Sequence, residues 1–161
     1  MTYQLTNAIL SMLRNDSVLA SLLGQWPDTN GDMQPAIFTT APYPEGASPQ
    51  EIGPIIITEG DISDSVMDTK TTFGHNIKRD IRIYTAETDD ATVVDQIGIR
   101  VKDIFHTRMG ALNAVLQDFT CSKLWADGPR AAPHMVDEYV YARIVSLSIW
   151  LVRNPNNLSG T

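Results

Sequence analysis

A single cysteine, Cys121, stands in 161 residues, which excludes an intramolecular disulfide and any cysteine-based zinc site. Its surroundings are apolar, which suits a buried, inert thiol better than a reactive one. Basic residues are scarce as well. Twelve Lys and Arg face nineteen Asp and Glu, for a net charge of −7. Sequence-general nucleic-acid binding draws on clustered cations that displace counterions from phosphate. The densest group here, Lys78, Arg79 and Arg82, falls in a segment of strand character. Alternate residues of a strand face opposite sides, so the group makes no single patch. An acidic protein can still surround DNA where its role is to let the duplex slide past. No apolar run approaches the roughly 18 residues that span a bilayer. Met1 to Leu13 has neither a basic leader segment nor a small-residue cleavage site. The expected compartment is therefore the cytosol, or a particle assembled there.

Signatures of chemistry are missing too. His75, His106 and His134 share no helical face and no close spacing, and H-E-x-x-H does not occur. Asp28, Asn30 and Asp32 match the first ligands of a calcium loop, but Met33 replaces the turn glycine and Thr39 the closing glutamate. A polar turn is the expectation there. Asp61, Asp64 and Asp68 are a looser cluster, with no glycine-rich phosphate cradle beside them. Neither G-x-S-x-G nor G-x-x-x-x-G-K-[ST] is present. Trp26, Trp125 and Trp150 are scattered along the chain, so no base-stacking platform is indicated and core or interface packing is the default. Neither a cofactor nor a metal ligand set is expected, and nothing argues for an enzyme.

What is present is a pattern of elements. About 160 residues suffice for one domain that buries roughly 70 % of its surface. The spacing of Leu5, Ala8, Ile9, Met12 and Leu13 predicts an amphipathic helix over 3–13. A short second helix follows through Val18 to Leu23, capped by Asp16 or Ser17 and stopped by a left-handed Gly24. Residues 25–35 and the proline-rich 41–54 read as loops, with a short strand over Ala36–Thr40 between them. Ile55–Ile57 begins a buried strand, Ile62–Gly74 is a polar loop or hairpin tip, and Asn76–Tyr84 alternates as a second strand. Thr88–His106 is a long helix with Asp89 and Asp90 at its positive end, and Gly110 closes that region. A strand over Phe119–Trp125 is broken by Gly128, Pro129 and Pro133. Tyr139–Arg153 is a long final strand, and 154–161 a polar tail.

Sequence-adjacent strands joined by loops favour antiparallel pairing. The expected fold is α+β: a mostly antiparallel sheet, packed on one face by the long central helix and an N-terminal helical pair, as a single domain over 1–153. Bare edges of so small a sheet would pair with another chain, so oligomerisation through the sheet is expected.

The order of motifs resembles a known family. L-x-x-x-L-x-S-M-L-x-x-D-x-x-L-A-S-L-L-G opens the chain (Leu5–Gly24), and G-P-I-I-I-T-E-G (Gly53–Gly60) closes a proline-rich region. I-K-R-D-I-R-I-Y-T (Ile77–Thr85) precedes an acid-capped helix, and Y-V-Y-A-R-I-V-S-L-S-I-W-L-V-R (Tyr139–Arg153) ends the folded part. From Leu5 to Arg153 this resembles the tail-completion, or tail-terminator, proteins of long-tailed bacteriophages and related prophage-derived particles. The resemblance implies a structural virion protein. It would form a ring, typically a hexamer, on the head-proximal end of the tail. The ring stops tube polymerisation and offers a surface to the neck. Its implied partners are other copies of itself, the major tail tube protein and a head-to-tail connector or neck protein. DNA passes through without specific binding, no membrane is involved, and assembly takes place in the host cytoplasm. Asp61, Asp64, Asp68 and Lys70 would then lie on a loop that faces the lumen or the tail, although such acids serve plain solubility equally well. Two rivals stand beside this reading: another neck or adaptor protein of the same particle, and a cytosolic α+β ligand-binding module.

Overall fold

The computed structural model describes residues 2–40, 43–58, 63–70, 72–86, 88, 90–132 and 140–155. Helix α1 (Thr2–Arg14) turns Leu5, Ala8, Ile9 and Leu13 inward, as the spacing requires. Helix α2 (Ser17–Leu22) starts where the Asp16 carboxylate accepts the Leu19 amide at 2.8 Å. Gly24 follows, but not as a left-handed stop. Its role is close approach: a side chain there would meet the Ile52 carbonyl oxygen at 2.2 Å. The Gly24 amide donates to Pro54 and its carbonyl accepts from Ala36, both at 2.8 Å.

The two expected loops hold short elements. Strands β1 (Gln25–Pro27) and β2 (Met33–Pro35) form an antiparallel hairpin. The Asp28 carboxylate accepts the amides of Asn30 and Asp32 at 2.8 and 3.0 Å. The Asp-x-Asn-x-Asp spacing thus builds a turn. Strand β3 (Ile37–Phe38) is followed by one helical turn, α3 (Pro49–Ile52), whose first-turn proline gives up no needed donor. Strand β4 (Ile55–Thr58) runs parallel to β3, an exception to the antiparallel expectation.

Strands β5 (Ser63–Val66) and β6 (Gly74–Ala86) form a hairpin where a polar loop was one expectation. Helix α4 (Ala91–Phe105) is capped by the Asp90 carboxylate, which accepts the Thr92 amide at 2.9 Å. Gly110 lies inside a short helix, α5 (Met109–Asn113), rather than ending the region. Strand β7 (Phe119–Ala131) runs straight through Gly128 and Pro129, which were expected to break it. The two residues form a bulge, with a register shift between Asp127 and Arg130. Its proline packs on α4, where only a glycine fits: a side chain at Gly98 would lie 2.5 Å from the Pro129 Cβ. Strand β8 (Val140–Arg153) completes the sheet. Asn154, assigned to the polar tail, is anchored by its amide to the Asp118 carbonyl at 2.9 Å.

The sheet order is β3-β4-β6-β8-β7, with β5 on β6 beyond the end of β4. Strands β6 and β8 pair along their full length, from Gly74 opposite Val152 to Ala86 opposite Val140. One face meets α1, α2, α4 and α5. Val94, Ile97, Val101 and Phe105 interleave there with Ile77, Ile81, Val145, Leu147 and Ile149. Each such side chain contributes about 1.5–3 kcal/mol by leaving water. The fold is therefore α+β, as read from the sequence, with the long helix and the N-terminal pair on one face. Arg79 points into this core, 1 % exposed, and donates to Thr6 Oγ1 at 2.8 Å.

Candidate functional site

Residues directly opposite each other in a sheet share a face, so the pairing register maps the side away from the helices. One row across the sheet holds Asn76, Trp150 and Lys123; the next holds Lys78, Ser148 and Trp125. Then come Asp80, Ser146 and Asp127, followed by Arg82, Ile144 and Arg130. Trp125 is 50 % exposed and Trp150 37 %, with the Lys123 ammonium 4.5 Å above the Trp150 ring. Two tryptophans that are scattered in sequence are thus diagonal neighbours on one surface. The Ser146 hydroxyl bonds to the Asp80 carboxylate, and Arg130 lies 3.8 Å from it.

The far end of this face is covered. Trp26, Phe38, Tyr43 and Ile52 pack there on Ile55, Ile57, Tyr84 and Ala142. This lobe, built from the β1–β2 hairpin and the chain leading into α3, is acidic. Asp28, Asp32, Glu45 and Glu51 are all exposed on it. From Asn15 to Thr69 the chain has nine acidic residues and no Lys or Arg. The open part of the face carries Lys78, Arg82, Lys123 and Arg130 against Asp80 and Asp127. Charge is therefore segregated between the lobe and the open face.

The loop residues singled out in the sequence fall on the β5–β6 hairpin. Asp64 bonds to His75 Nδ1 at 2.8 Å, which ties β5 to β6. The Asp68 carboxylate accepts the Gly74 amide at 3.2 Å and shapes the turn. Lys70 is exposed at the tip. Asp61 lies outside the described residues, as does His134. Val66, Met67 and Phe73 make the same end of the molecule apolar and exposed.

One sheet edge is partly covered. Along β7, the Thr107 amide donates to the Leu124 carbonyl at 3.1 Å. The Asn113 side chain bonds both the amide and the carbonyl of Cys121, at 2.6 and 3.1 Å. The His106 ring sits on the Ala126 main chain and against Trp125, with ring centroids 4.2 Å apart. The α4–α5 corner and α5 thus bond main-chain groups of Cys121, Leu124 and Ala126 along that edge.

A cleft of about 560 Å³ lies between the lobe, β3 and the end of α1, and Arg14 and Asp28 are its ionisable lining. A smaller one, about 280 Å³, lies between the helices beside Asp16 and Arg108. Asp16 is held below the usual carboxylate range, chiefly by its bonds to the Arg100 guanidinium. Burial pushes the Cys121 thiol up to about 11, which removes its nucleophilic form at neutral pH. Among the described residues no group of three or more His, Cys, Asp or Glu is placed to hold a metal ion. No described helix is long and apolar enough to cross a membrane.

No family model matches the chain, and no curated protein does. Among solved structures, the chain is similar to one from the virion of a native gene transfer agent particle. The identity is 21 % and the TM-score 0.59, over 92 % of this chain and 93 % of that one. The two share a fold over that length.

Sequence reasoning missed the Trp125–Trp150 surface and the acidic lobe. The lobe had a readable signal in the run of 55 residues, 15–69, without a cation. The tryptophans had a weaker one: each stands among residues that alternate with buried ones on a long strand.

Proposed function

We propose that the chain is a structural component of a phage-like virion. In the finer reading it is a tail-completion protein that forms a ring on the head-proximal end of the tail. The observation that carries this is the fold shared, over nearly the whole of both chains, with a component of a gene transfer agent virion. Three features support it. The sheet leaves one amphipathic face open, charge is segregated between two surfaces, and the β5–β6 hairpin projects exposed apolar residues. In this reading the hairpin end, with Val66, Met67 and Phe73, meets the tail tube, and the acids of its loop lie towards the DNA path. Asp61, Asp64 and Asp68 would repel phosphate there and keep friction low.

The test is particle assembly without this chain. Overlong tails are the expected result. Tails of normal length that fail to join heads would make it a neck adaptor instead, and intact infectious particles would refute a virion role. Changing Asp64 and Asp68 to asparagine should slow DNA ejection with tail length unchanged; equal ejection would remove the acids from the mechanism. Assembled rings of six copies of a 17.8 kDa chain would have a mass of about 107 kDa.

A further inference from the structure

We infer that the open sheet face around Trp125 and Trp150 is the seat for the acidic lobe of a second copy of this chain. The inference deepens the reading above, since it names the surfaces through which copies join. The first argument is charge. Lys78 and Lys123 flank the two tryptophans on a chain whose net charge is −7. The lobe offers exposed Asp28, Asp32, Glu45 and Glu51, and its whole sequence segment lacks a cation. The second argument is apolar match. Met33 of β2 is 57 % exposed on the lobe, and a thioether packs well on an indole. Two half-exposed tryptophans side by side suit an interface centre, where a few aromatic anchors dominate, with the lysines at its rim. The third argument is placement. The lobe covers one end of the same face that is bare at the other, so each copy carries both a projecting lobe and an uncovered surface.

Single-stranded nucleic acid, which also stacks on tryptophan, fits less well. Asp80 and Asp127 stand on either side of Ser146, between the lysines and the row of Arg82 and Arg130, and so interrupt the path a phosphate backbone would follow. A carboxylate-bearing lobe needs only the two neighbouring rows that carry Lys78 and Lys123.

The experiment is a charge swap on the full chain. Lys78→Glu with Lys123→Glu reverses the face, and Asp32→Lys with Glu45→Lys reverses the lobe. None of the four side chains has been given a role in holding the fold, and unchanged urea midpoints check that. Mass is followed by light scattering against concentration at low and high salt. Wild type is expected to self-associate, at least tenfold more weakly at about 0.5 M than at about 0.05 M salt. Each variant alone should stay monomeric, and an equimolar mixture should recover the wild-type mass, because each reversed face then meets a reversed lobe. Variants that associate like wild type, a mixture that stays monomeric, or a wild type that is monomeric throughout would each overturn the inference. So would tight binding of a fluorescent single-stranded oligonucleotide that the Lys78→Glu, Lys123→Glu variant loses. The two readings fail separately. A charge-dependent pair of copies keeps this contact and counts against a ring, whereas a ring indifferent to the swap keeps the ring and removes this contact.

Discussion

Replacing Gly24 by alanine is expected to cost the fold about 2–6 kcal/mol. The added methyl carbon would lie 2.2 Å from the Ile52 carbonyl oxygen and 2.9 Å from its carbon. A comfortable carbon–oxygen contact is about 3.3 Å, so the two chain segments must part by about 1 Å. Both obstacles are main-chain atoms, and neither can rotate away. The segments are also tied by the 2.8 Å bonds from Gly24 to Pro54 and from Ala36 to Gly24. Overpacking of this kind costs about 1–3 kcal/mol, and breaking one buried main-chain bond adds about 1–3 kcal/mol more. For a chain of this size each kcal/mol lowers the melting temperature by about 2–4 °C, so a fall of about 4–24 °C is expected. Gly110→Ala is the control. Nothing lies within 4 Å of its added carbon, and α5 should gain up to about 1 kcal/mol in helix propensity. Urea unfolding followed by tryptophan fluorescence measures both, with Trp26 reporting from the lobe beside Gly24. A Gly24→Ala protein that melts within a degree of wild type would refute the close-approach argument.

Two further outcomes follow from the helix layer and the core. Asp16 titrates below the normal carboxylate range when folded, so its contribution is present above the unfolded pKa and is lost as pH falls through the folded one. Asp16→Asn keeps a capping side chain but no charge, so its stability deficit against wild type should be clear at pH 6–7 and fade on acidification below about pH 4; a deficit that stays constant in pH-dependent urea titrations would contradict the Arg100 pairing. Cys121, 3 % exposed with its thiol raised to about 11, should resist alkylation at pH 8 until the chain unfolds, and rapid labelling of native protein by mass spectrometry would contradict its burial.

Periodicity made the helical layer and the long strands legible. Leu5, Ala8, Ile9 and Leu13 reveal α1, and the alternation of Val145, Leu147, Ile149 and Leu151 reveals β8, because each pattern reports one buried face. Elements held by main-chain contacts left little trace. The β1–β2 hairpin is three residues a side and lies in what read as a loop, whereas β3 falls inside the short strand expected over Ala36–Thr40. Gly24 looks like a helix stop in sequence because glycine serves both left-handed turns and close approach, and only the neighbouring Ile52 carbonyl distinguishes them. Gly128 and Pro129 read as a break for a similar reason: a bulge in a long edge strand uses the residues that end strands elsewhere. The paired tryptophans depend on the register between β7 and β8, which no local pattern encodes. Of the loop residues singled out, Asp64 and Asp68 proved to bond within the β5–β6 hairpin, a role their spacing did not announce.

The closure of β7 by Thr107, His106 and Asn113 has a consequence for recognition. Main-chain groups on an unsealed strand accept any extended peptide, because every residue type offers the same amide and carbonyl. With that indiscriminate acceptor occupied, a partner of this side of the sheet must be chosen by side chains. Exposed side chains outside the core, such as Lys78 and Lys123, can be exchanged without disturbing the scaffold beneath. The same framework can therefore be redirected to a different neighbour by point substitution, while its interior remains as it is.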